Sequence, residues 1–237
     1  MNADILKKLS EISVATATMQ LLKRGLRNVS LAGVMPINNP VQPITGPAYT
    51  LRFVPMREDL STPEVLGAAD YSPRRAIEEC PKGAVLVIDG RNRSDIAVLG
   101  DLLTERLRQR GVTGVVSDGG VRDFEETLAV GLPIYAAGPA APAHIAGHAA
   151  ADREAPIACG GVAVLPGDIV KGDGDGVVVI PQALAEEVAR DGPEQERYER
   201  FAKLKIREGR PIPGVYPPSE ETRKEYEAWV VAGEFEG

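Results

Sequence analysis

The chain has 237 residues, enough for the core of one large domain, and carries 27 Lys and Arg residues against 34 Asp and Glu residues. Its net charge of −7, without any basic run, argues against a nucleic-acid partner, because phosphate contacts need clustered positive charge. No apolar run is long enough to span a bilayer and the N-terminus has no signal-peptide pattern, so we expect a cytoplasmic protein without a membrane partner. Cys80 and Cys159 show neither metal-site spacing nor a disulfide pattern, which is typical of a reducing compartment.

Helical and strand-like patterns alternate along most of the chain, which predicts an α/β protein. Apolar residues at helical spacing predict helices over Ala3–Gly25, Thr62–Glu79 with a break at Ser72-Pro73, Leu99–Arg110 and Phe124–Val130. Alternating or continuous apolar runs predict strands over Ala48–Val54, Ala84–Ile88, Val112–Val116 and Pro133–Ala136. Residues 137–161 are rich in Ala, Gly and Pro, and their pattern assigns no element.

The last part of the chain begins with strands and ends in helices. Short β segments joined by Gly-Asp turns are predicted over Gly161–Ile180. From Gln182 the composition becomes charged and predicts three helices, over Gln182–Arg190, Glu194–Arg207 and Glu220–Val231. We therefore divide the chain into an α/β core over residues 1–183 and a helical C-terminal extension over residues 184–237, which wraps the core or a neighbouring subunit.

Two conspicuous clusters have ordinary structural explanations. Gly172–Gly176 reads Gly-Asp-Gly-Asp-Gly, but it lacks the third oxygen ligand of an EF-hand loop and matches no phosphate-binding motif, so we interpret it as a tight β-turn. His144 and His148 have the i, i+4 spacing of a zinc-binding pair, yet no Glu lies between them and no third ligand is evident. A zinc site is therefore disfavoured, and the role of the two histidines stays open.

The stretch from Gly100 to Asp123 carries the residues that we consider for chemistry. It starts a predicted helix with Gly-Asp-Leu-Leu and closes, after a predicted strand, on Asp-Gly-Gly-Val-Arg-Asp. Asp101, Arg122 and Asp123 could each be an ordinary helix cap or surface charge. Three features favour binding: glycines that let the backbone approach a ligand, free N–H groups at a helix N-terminus, and a guanidinium that can grip the same carboxylate.

The spacing of these motifs resembles that of 4-hydroxy-4-methyl-2-oxoglutarate aldolases and of the related regulators of ribonuclease E activity A. Twenty residues separate Asp101 from Arg122-Asp123, and further landmarks are similar at Gly83–Gly90, Gly131–Pro133, Pro166–Asp168 and Gly176–Pro181. The likeness covers most of residues 10–183. It implies the layered αββα-type core of that family, and a homotrimer or homohexamer with sites between subunits.

The resemblance also implies an activity and a set of site residues. The activity is a divalent-metal-dependent class II aldolase that cleaves a 4-hydroxy-2-oxo acid to pyruvate and a second carbonyl product, with oxaloacetate decarboxylation as a side activity. Carried over by position, Asp123 would bind Mg²⁺ or Mn²⁺, and Arg122 would bind the 2-oxo acid and its enolate. Gly100 and the backbone amides of Leu102 and Leu103 would bind the substrate carboxylate. Asp101 would orient a metal-bound water that moves protons. An acidic residue from a neighbouring subunit is expected as well; Glu199 and Glu196 are the candidates, although a solvated helix face explains both equally well.

Two alternatives stay open at the level of the sequence. The regulators share the core and act by binding a ribonuclease or a helicase, without catalysis. The intact set of Asp101, Arg122 and Asp123 and the long tail after Pro181 favour an enzyme. A lyase or hydratase acting on another sugar-derived 2-oxo acid would use the same enolate chemistry, and the sequence does not separate it from an aldolase.

Overall fold

The structure, a computed structural model, describes residues 2–59 and 61–233. Residues 234–237 of the predicted extension lie outside this part. The helices within it are α1 (Ala3–Ser10), α2 (Val14–Lys23), α3 (Pro63–Gly67), α4 (Ser72–Glu79), α5 (Asp101–Arg110), α6 (Phe124–Ala129), α7 (Ala185–Arg207) and α8 (Glu220–Val231). The strands are β1 (Met35–Pro36), β2 (Ile44–Pro55), β3 (Val85–Asp89), β4 (Ala97–Leu99), β5 (Gly114–Ser117), β6 (Gly120–Val121), β7 (Ile134–Ala136), β8 (Gly138–Pro139), β9 (His148–Arg153), β10 (Ile157–Cys159), β11 (Val162–Val164), β12 (Ile169–Asp173) and β13 (Gly176–Ile180).

A mixed eight-stranded sheet forms the frame of the molecule. Its strand order is β1-β7-β5-β3-β2-β12-β13, and β9 also pairs with β2. Strands β2, β3, β5 and β7 run parallel, whereas β12 and β13 form an antiparallel hairpin beside β2. The sheet curls until its two edges approach each other. Just before β1, Leu31 donates its N–H to the carbonyl of Val177 in β13, and the N–H of Val179 in β13 donates to the carbonyl of Val29. The result is a nearly closed, barrel-like sheet.

Apolar residues pack on both sides of this sheet and form layers. Along β3, Val85 and Val87 point into the barrel, whereas Leu86 and Ile88 point to the outer cluster, as the two-residue period of a strand requires. The outer cluster also contains buried residues of α4 and α5. A third cluster joins α1, α2 and the start of α7 to β12 and β13. Helices thus cover the sheet on two sides, and the predicted layered α/β class is confirmed.

The N-terminal helical pattern is one point where the prediction was wrong. Instead of a single helix over residues 3–25, the structure has α1 and α2, separated by residues 11–13. The side chain of Ser13 caps α2 by accepting the N–H of Thr16, and the Glu196 carboxylate accepts both the N–H and the hydroxyl of Ser13, each at 2.8 Å. A contact with a distant part of the chain therefore stabilises this break.

The C-terminal extension differs from its prediction in one place. Residues 185–207 form one continuous helix with Pro193 inside it, where two helices, over 182–190 and 194–207, were predicted. The first turns of α7 are buried through Val188 and Ala189, and Gly192 packs against Ile12, where an added Cβ would lie 2.9 Å from the Ile12 Cδ1. Tertiary packing thus outweighs the local preference of proline. The predicted helix over Glu220–Val231 is present, and the domain boundary at residue 183 stays a prediction.

None of the helices described combines the length with the apolar composition that crossing a membrane requires.

Candidate functional site

Two short strands bring the two halves of the sequence motif together. Strands β4 and β6 are the next strands after β3 and β5, and they pair in parallel with each other. Strand β6 also pairs in parallel with β8, which completes a separate three-stranded sheet. Helix α5 begins after β4, and helix α6 begins after β6. Their N-cap residues, Gly100 and Asp123, therefore lie side by side: a Cβ added to Gly100 would lie 3.0 Å from the Arg122 Cγ and 3.1 Å from the Asp123 Oδ2.

The N-terminus of α5 has the form of an anion-binding site. Gly100 is its N-cap in extended conformation, and no side chain caps the first turn. The N–H groups of that turn have no partner within the helix, and the helix dipole adds partial positive charge. Asp101 and Leu103 are partly buried, whereas Leu102 is 79% exposed. The structure thus places the first turn of α5, which carries the backbone amides predicted to hold a carboxylate, next to Arg122.

Asp123, directly after Arg122, is held in an unusual backbone conformation. Asp123 lies in the left-handed region, with φ 47° and ψ 53°, which costs a non-glycine residue on the order of 1 kcal/mol. Thr127 supports this turn, because its hydroxyl donates to the Arg122 carbonyl at 3.0 Å and its N–H donates to the Asp123 carbonyl at 2.7 Å. The Arg122 Nε donates to the Asp123 Oδ2 at 2.9 Å, and the two side chains are 45% and 41% exposed. Both side chains are therefore accessible from solvent.

Within one chain, the cleft at these residues is small. It has a volume of about 280 Å³ and is lined by residues 121–124 and 139–141. Across residues 2–59 and 61–233 no cluster of three or more His, Cys, Asp or Glu side chains is arranged to hold a metal ion. Asp123 offers one exposed carboxylate, so a cation here would take its other ligands from water and substrate. Mg²⁺ accepts such an environment because it retains water and prefers oxygen donors.

The glycines of the Asp-Gly-Gly turn before Arg122 let β6 pass close to neighbouring segments of the same chain. That they also let the backbone approach a ligand stays a prediction. A Cβ on Gly120 would lie 2.5 Å from that of Ala140, and one on Gly119 would lie 3.0 Å from the Val98 Cγ1. Asp118 is buried, and burial raises the pKa of its carboxyl above the ordinary value. Asp118 was not among the predicted site residues, although its position between a buried strand and two glycines was a signal.

The two histidines lie apart from this site and do not share a helix face. His144 is in a 3₁₀ turn with its Nε2 2.8 Å from the Tyr71 hydroxyl, whereas His148 begins β9 and accepts at Nδ1 from Arg91 at 3.2 Å. Both rings pack against Phe53, each with a centroid distance of 5.4 Å. Burial, reinforced by Arg91, lowers the pKa of His148 to about 4. The spacing that suggested a zinc pair has a structural explanation here.

The other sequence clusters are structural too. Gly174 and Asp175 form the turn of the β12–β13 hairpin, which confirms the predicted β-turn. Asp173 stabilises it by accepting the N–H of Asp175 at 2.9 Å and that of Val14 at 2.7 Å. Cys80 and Cys159 are buried and unpaired, and burial raises the pKa of both thiols, that of Cys80 to about 12. Neither thiol is suited to act as a nucleophile.

The two candidate glutamates lie on α7, which packs against α1, α2 and α8. Glu196 is bonded to Ser13 of its own chain. Glu199 accepts from the Gln195 side chain at 3.0 Å and lines a wide groove of about 1050 Å³ between α2, α7 and α8. This groove is much larger than the cleft at Arg122, but it contains none of the residues of the Gly100–Asp123 motif. Within one chain, neither glutamate lines the cleft at Arg122.

Known proteins share both the sequence and the fold. A protein from Halalkalibacterium halodurans, provisionally named a 4-hydroxy-4-methyl-2-oxoglutarate aldolase, is 32% identical over 164 residues. These residues are 69% of this chain and 71% of that protein. Protein DlpA of Legionella pneumophila is 32% identical over 158 residues, 67% of this chain, and the chain spans only 24% of DlpA.

Two solved structures extend the likeness. RraAS2 of Streptomyces coelicolor, described as an unusual member of the RNase ES inhibitor RraA family, superposes with a TM-score of 0.77 at 32% identity, covering 86% of this chain and 97% of that one. An uncharacterised protein from Pseudomonas syringae gives a TM-score of 0.79 at 25% identity, covering 91% and 94%. The sequence model of the RraA-like family, described as Aldolase/RraA, matches residues 8–179. The chain therefore belongs to the RraA-like family.

Proposed function

We propose that this protein is a divalent-metal-dependent aldolase that cleaves a 4-hydroxy-2-oxo acid and releases pyruvate. The observation that carries the proposal is the placement of the uncapped α5 N-terminus at Gly100 against Arg122 and Asp123. This arrangement offers hydrogen-bond donors and positive charge to a carboxylate and an adjacent oxygen, and one carboxylate to a cation. The relationship to the aldolase of H. halodurans supports the substrate class.

The chemistry matches these groups. The substrate carboxylate accepts hydrogen bonds from the amides of Leu102 and Leu103, which orients the 2-oxo group towards the neighbouring guanidinium. When the bond between C3 and C4 breaks, its electron pair moves into the enolate of pyruvate and negative charge grows on the C2 oxygen. Arg122 stabilises that charge with a donor already in place. The same stabilisation would support decarboxylation of oxaloacetate.

Two proton transfers complete the reaction. A base takes the proton of the 4-hydroxyl group as the C4 carbonyl forms, and an acid later protonates C3 of the enolate. Asp101, in the first turn of α5, is our candidate for orienting the water that carries these protons. Asp123 would hold Mg²⁺ or Mn²⁺, which supplies Lewis-acid stabilisation of the enolate oxygen when bound.

We propose further that a second subunit completes the site in a homotrimer or homohexamer. The small cleft at Arg122 and the exposed side chain of Leu102 support this arrangement, because neither would enclose a substrate in one chain. Of the two candidate acids, Glu199 is favoured as the one contributed by a neighbour. The carboxylate of Glu196 is already bonded to the backbone and hydroxyl of Ser13.

A regulator that binds a ribonuclease is the second candidate function. It is supported by RraAS2, which is as similar in sequence as the aldolase and is covered almost completely by this chain. A lyase or hydratase on another 2-oxo acid is a third candidate, because it would use the same arrangement of donors.

Pyruvate release separates these candidates. Purified protein is given 4-hydroxy-4-methyl-2-oxoglutarate, 4-carboxy-4-hydroxy-2-oxoadipate or oxaloacetate, with Mg²⁺ or with EDTA, and pyruvate is measured through lactate dehydrogenase. Blanks without the protein correct for the spontaneous decarboxylation of oxaloacetate. We expect turnover of a 4-hydroxy acid that EDTA abolishes. Turnover of oxaloacetate alone would leave the substrate open, and no turnover together with binding to an RNase E-type enzyme would favour the regulator.

A further inference from the structure

The two halves of the site, Gly100 and Arg122-Asp123, lie at the ends of two different strands. Gly100 follows β4, which continues from β3 through residues 90–96, whereas Arg122 follows β6, which continues from β5 through Asp118 and Gly119. The strands pair over only a few residues, with hydrogen bonds such as those from the Arg122 N–H to Leu99 and from the Gly120 N–H to Ile96. The spacing between the halves therefore depends also on how the preceding loops are joined.

Asp118 joins those loops. Its side chain is 3% exposed, and its Oδ1 accepts the N–H of Gly90 at 2.6 Å while its Oδ2 accepts the N–H of Gly160 at 3.0 Å. The backbone N–H of Asn92 also faces this carboxylate and acts to lower its pKa. One buried carboxylate thus connects the loop after β3, the β10–β11 turn and the start of the crossing into β6.

The surroundings of Asp118 leave little room for movement. A Cβ added to Gly90 would lie 2.5 Å from the Gly119 backbone, so the two segments cross at the closest approach that glycine permits. Arg91 and Asn92 are both left-handed, with φ values of 57° and 53°. Non-glycine residues keep such conformations only where their surroundings hold them. The bonds to the carboxylate of Asp118 are part of that support.

We infer that Asp118 is a positioning residue: it clamps the loop that leads to Gly100 against the crossing that leads to Arg122, and so sets the distance between the two halves of the site. The catalytic consequence rests on the proposed aldolase activity, whereas the clamp itself does not. No part of this role requires Asp118 to touch the substrate.

The test compares two buried aspartates. Asp168 is 8% exposed and likewise accepts backbone N–H groups from two segments, at Leu165 and Gln182, but it lies in the turn before β12, away from β4 and β6. D118N and D168N each replace one acceptor oxygen by an NH₂ group that faces an N–H. We expect D118N to lower kcat at least tenfold with KM within about threefold of wild type, because misplaced groups lose mainly transition-state stabilisation. D168N should stay within about twofold in both constants.

Amide hydrogen exchange provides a readout that does not depend on activity. In D118N, exchange should accelerate in residues 97–103 and 119–123 together, and in D168N in neither segment. If wild-type protein releases no pyruvate, the aldolase proposal fails while the exchange rates still judge the clamp. Unchanged exchange in D118N, or equal losses of kcat in D118N and D168N, would overturn the inference.

A measurement on the wild-type protein covers the case in which D118N does not fold. The amides of Gly90 and Gly160 should then be protected about as strongly as that of Arg122. Exchange more than about a hundredfold faster at Gly90 and Gly160 would show that Asp118 does not hold the site, and would overturn the inference too.

Discussion

Replacing Gly100 by Ala should separate the activity of the protein from its stability. The new Cβ would lie 3.0 Å from the Arg122 Cγ and 3.1 Å from the Asp123 Oδ2, whereas ordinary contacts begin near 3.4 Å. Arg122 and Asp123 must therefore move by a few tenths of an ångström, and their exposure of 45% and 41% lets them do so. The added methyl group also stands beside the N–H groups of the first turn of α5.

The effect on stability should be small. Gly100 has extended backbone, with φ −147°, so alanine causes no backbone strain there. Alanine is a poorer N-cap than glycine by roughly 0.5–1 kcal/mol, and the reduced entropy of the unfolded chain offsets about 0.4–1 kcal/mol. We therefore expect a change in unfolding free energy below about 1 kcal/mol. Catalysis should suffer more, because misplaced groups lower kcat/KM by about 10- to 100-fold, or roughly 1.4–2.7 kcal/mol.

The assay measures kcat/KM for pyruvate release and the unfolding free energy in urea for wild type, G100A and a control, G174A. Gly174 lies in the β12–β13 turn, has no atom within 4 Å of an added Cβ, and is remote from the motif. G174A should retain wild-type activity. If G100A stays within about threefold of wild type, the close approach of Gly100 to Arg122 is not needed for the reaction. A loss of several kcal/mol of stability in G100A would likewise contradict the argument.

Three further predictions follow from named contacts. Arg122→Ala should lower kcat by about 100- to 1000-fold without unfolding the protein, because the developing enolate charge loses its donor; turnover close to wild type would refute this role. Asp123→Ala should abolish the stimulation of pyruvate release by Mg²⁺, and a variant that Mg²⁺ still activates would place the metal elsewhere. The pKa of His148 is about 4 in the folded protein and 6.5 in the unfolded chain, so the unfolded state takes up the proton first on acidification. The free energy of unfolding therefore falls as the pH drops from above 6.5 towards 4. Between pH 7.5 and 5 this contributes a loss of about 2 kcal/mol, which H148Q should lack in urea denaturation; equal pH dependence in the two proteins would show that His148 is not the group responsible.

The sequence predicted those features that depend on neighbouring residues. The run Val85–Ile88 forms a strand because β-branched residues buried on both faces need no distant information to be recognised. The same holds for the end of α5, where Gly111 adopts the left-handed conformation of a helix C-cap. The motif residues Gly100 and Arg122 were found in the same way, and the structure brings them together.

Contacts between distant segments account for the errors. The break before α2 depends on Glu196, which lies 183 residues after Ser13, and no local pattern reports such a bond. The continuous α7 depends on the fit of Gly192 against Ile12. The spacing of His144 and His148 led to no error, because a zinc pair was disfavoured from the sequence; the chain becomes a strand at His148, so the two residues do not share a helix face.

The contact between the two ends of the chain has a consequence for how related sequences vary. Arg24, the C-cap of α2, pairs with Glu187 and Asp191 on α7, and Glu196 accepts hydrogen bonds from Ser13, so the extension is fastened to the N-terminal helices. The segment from 180 onwards lies outside the part that matches the family. A relative that loses or rebuilds its extension would leave Arg24 without its carboxylates. Substitutions at this end of α2 should therefore accompany changes near residues 187–196, while β4 and β6 vary independently of both.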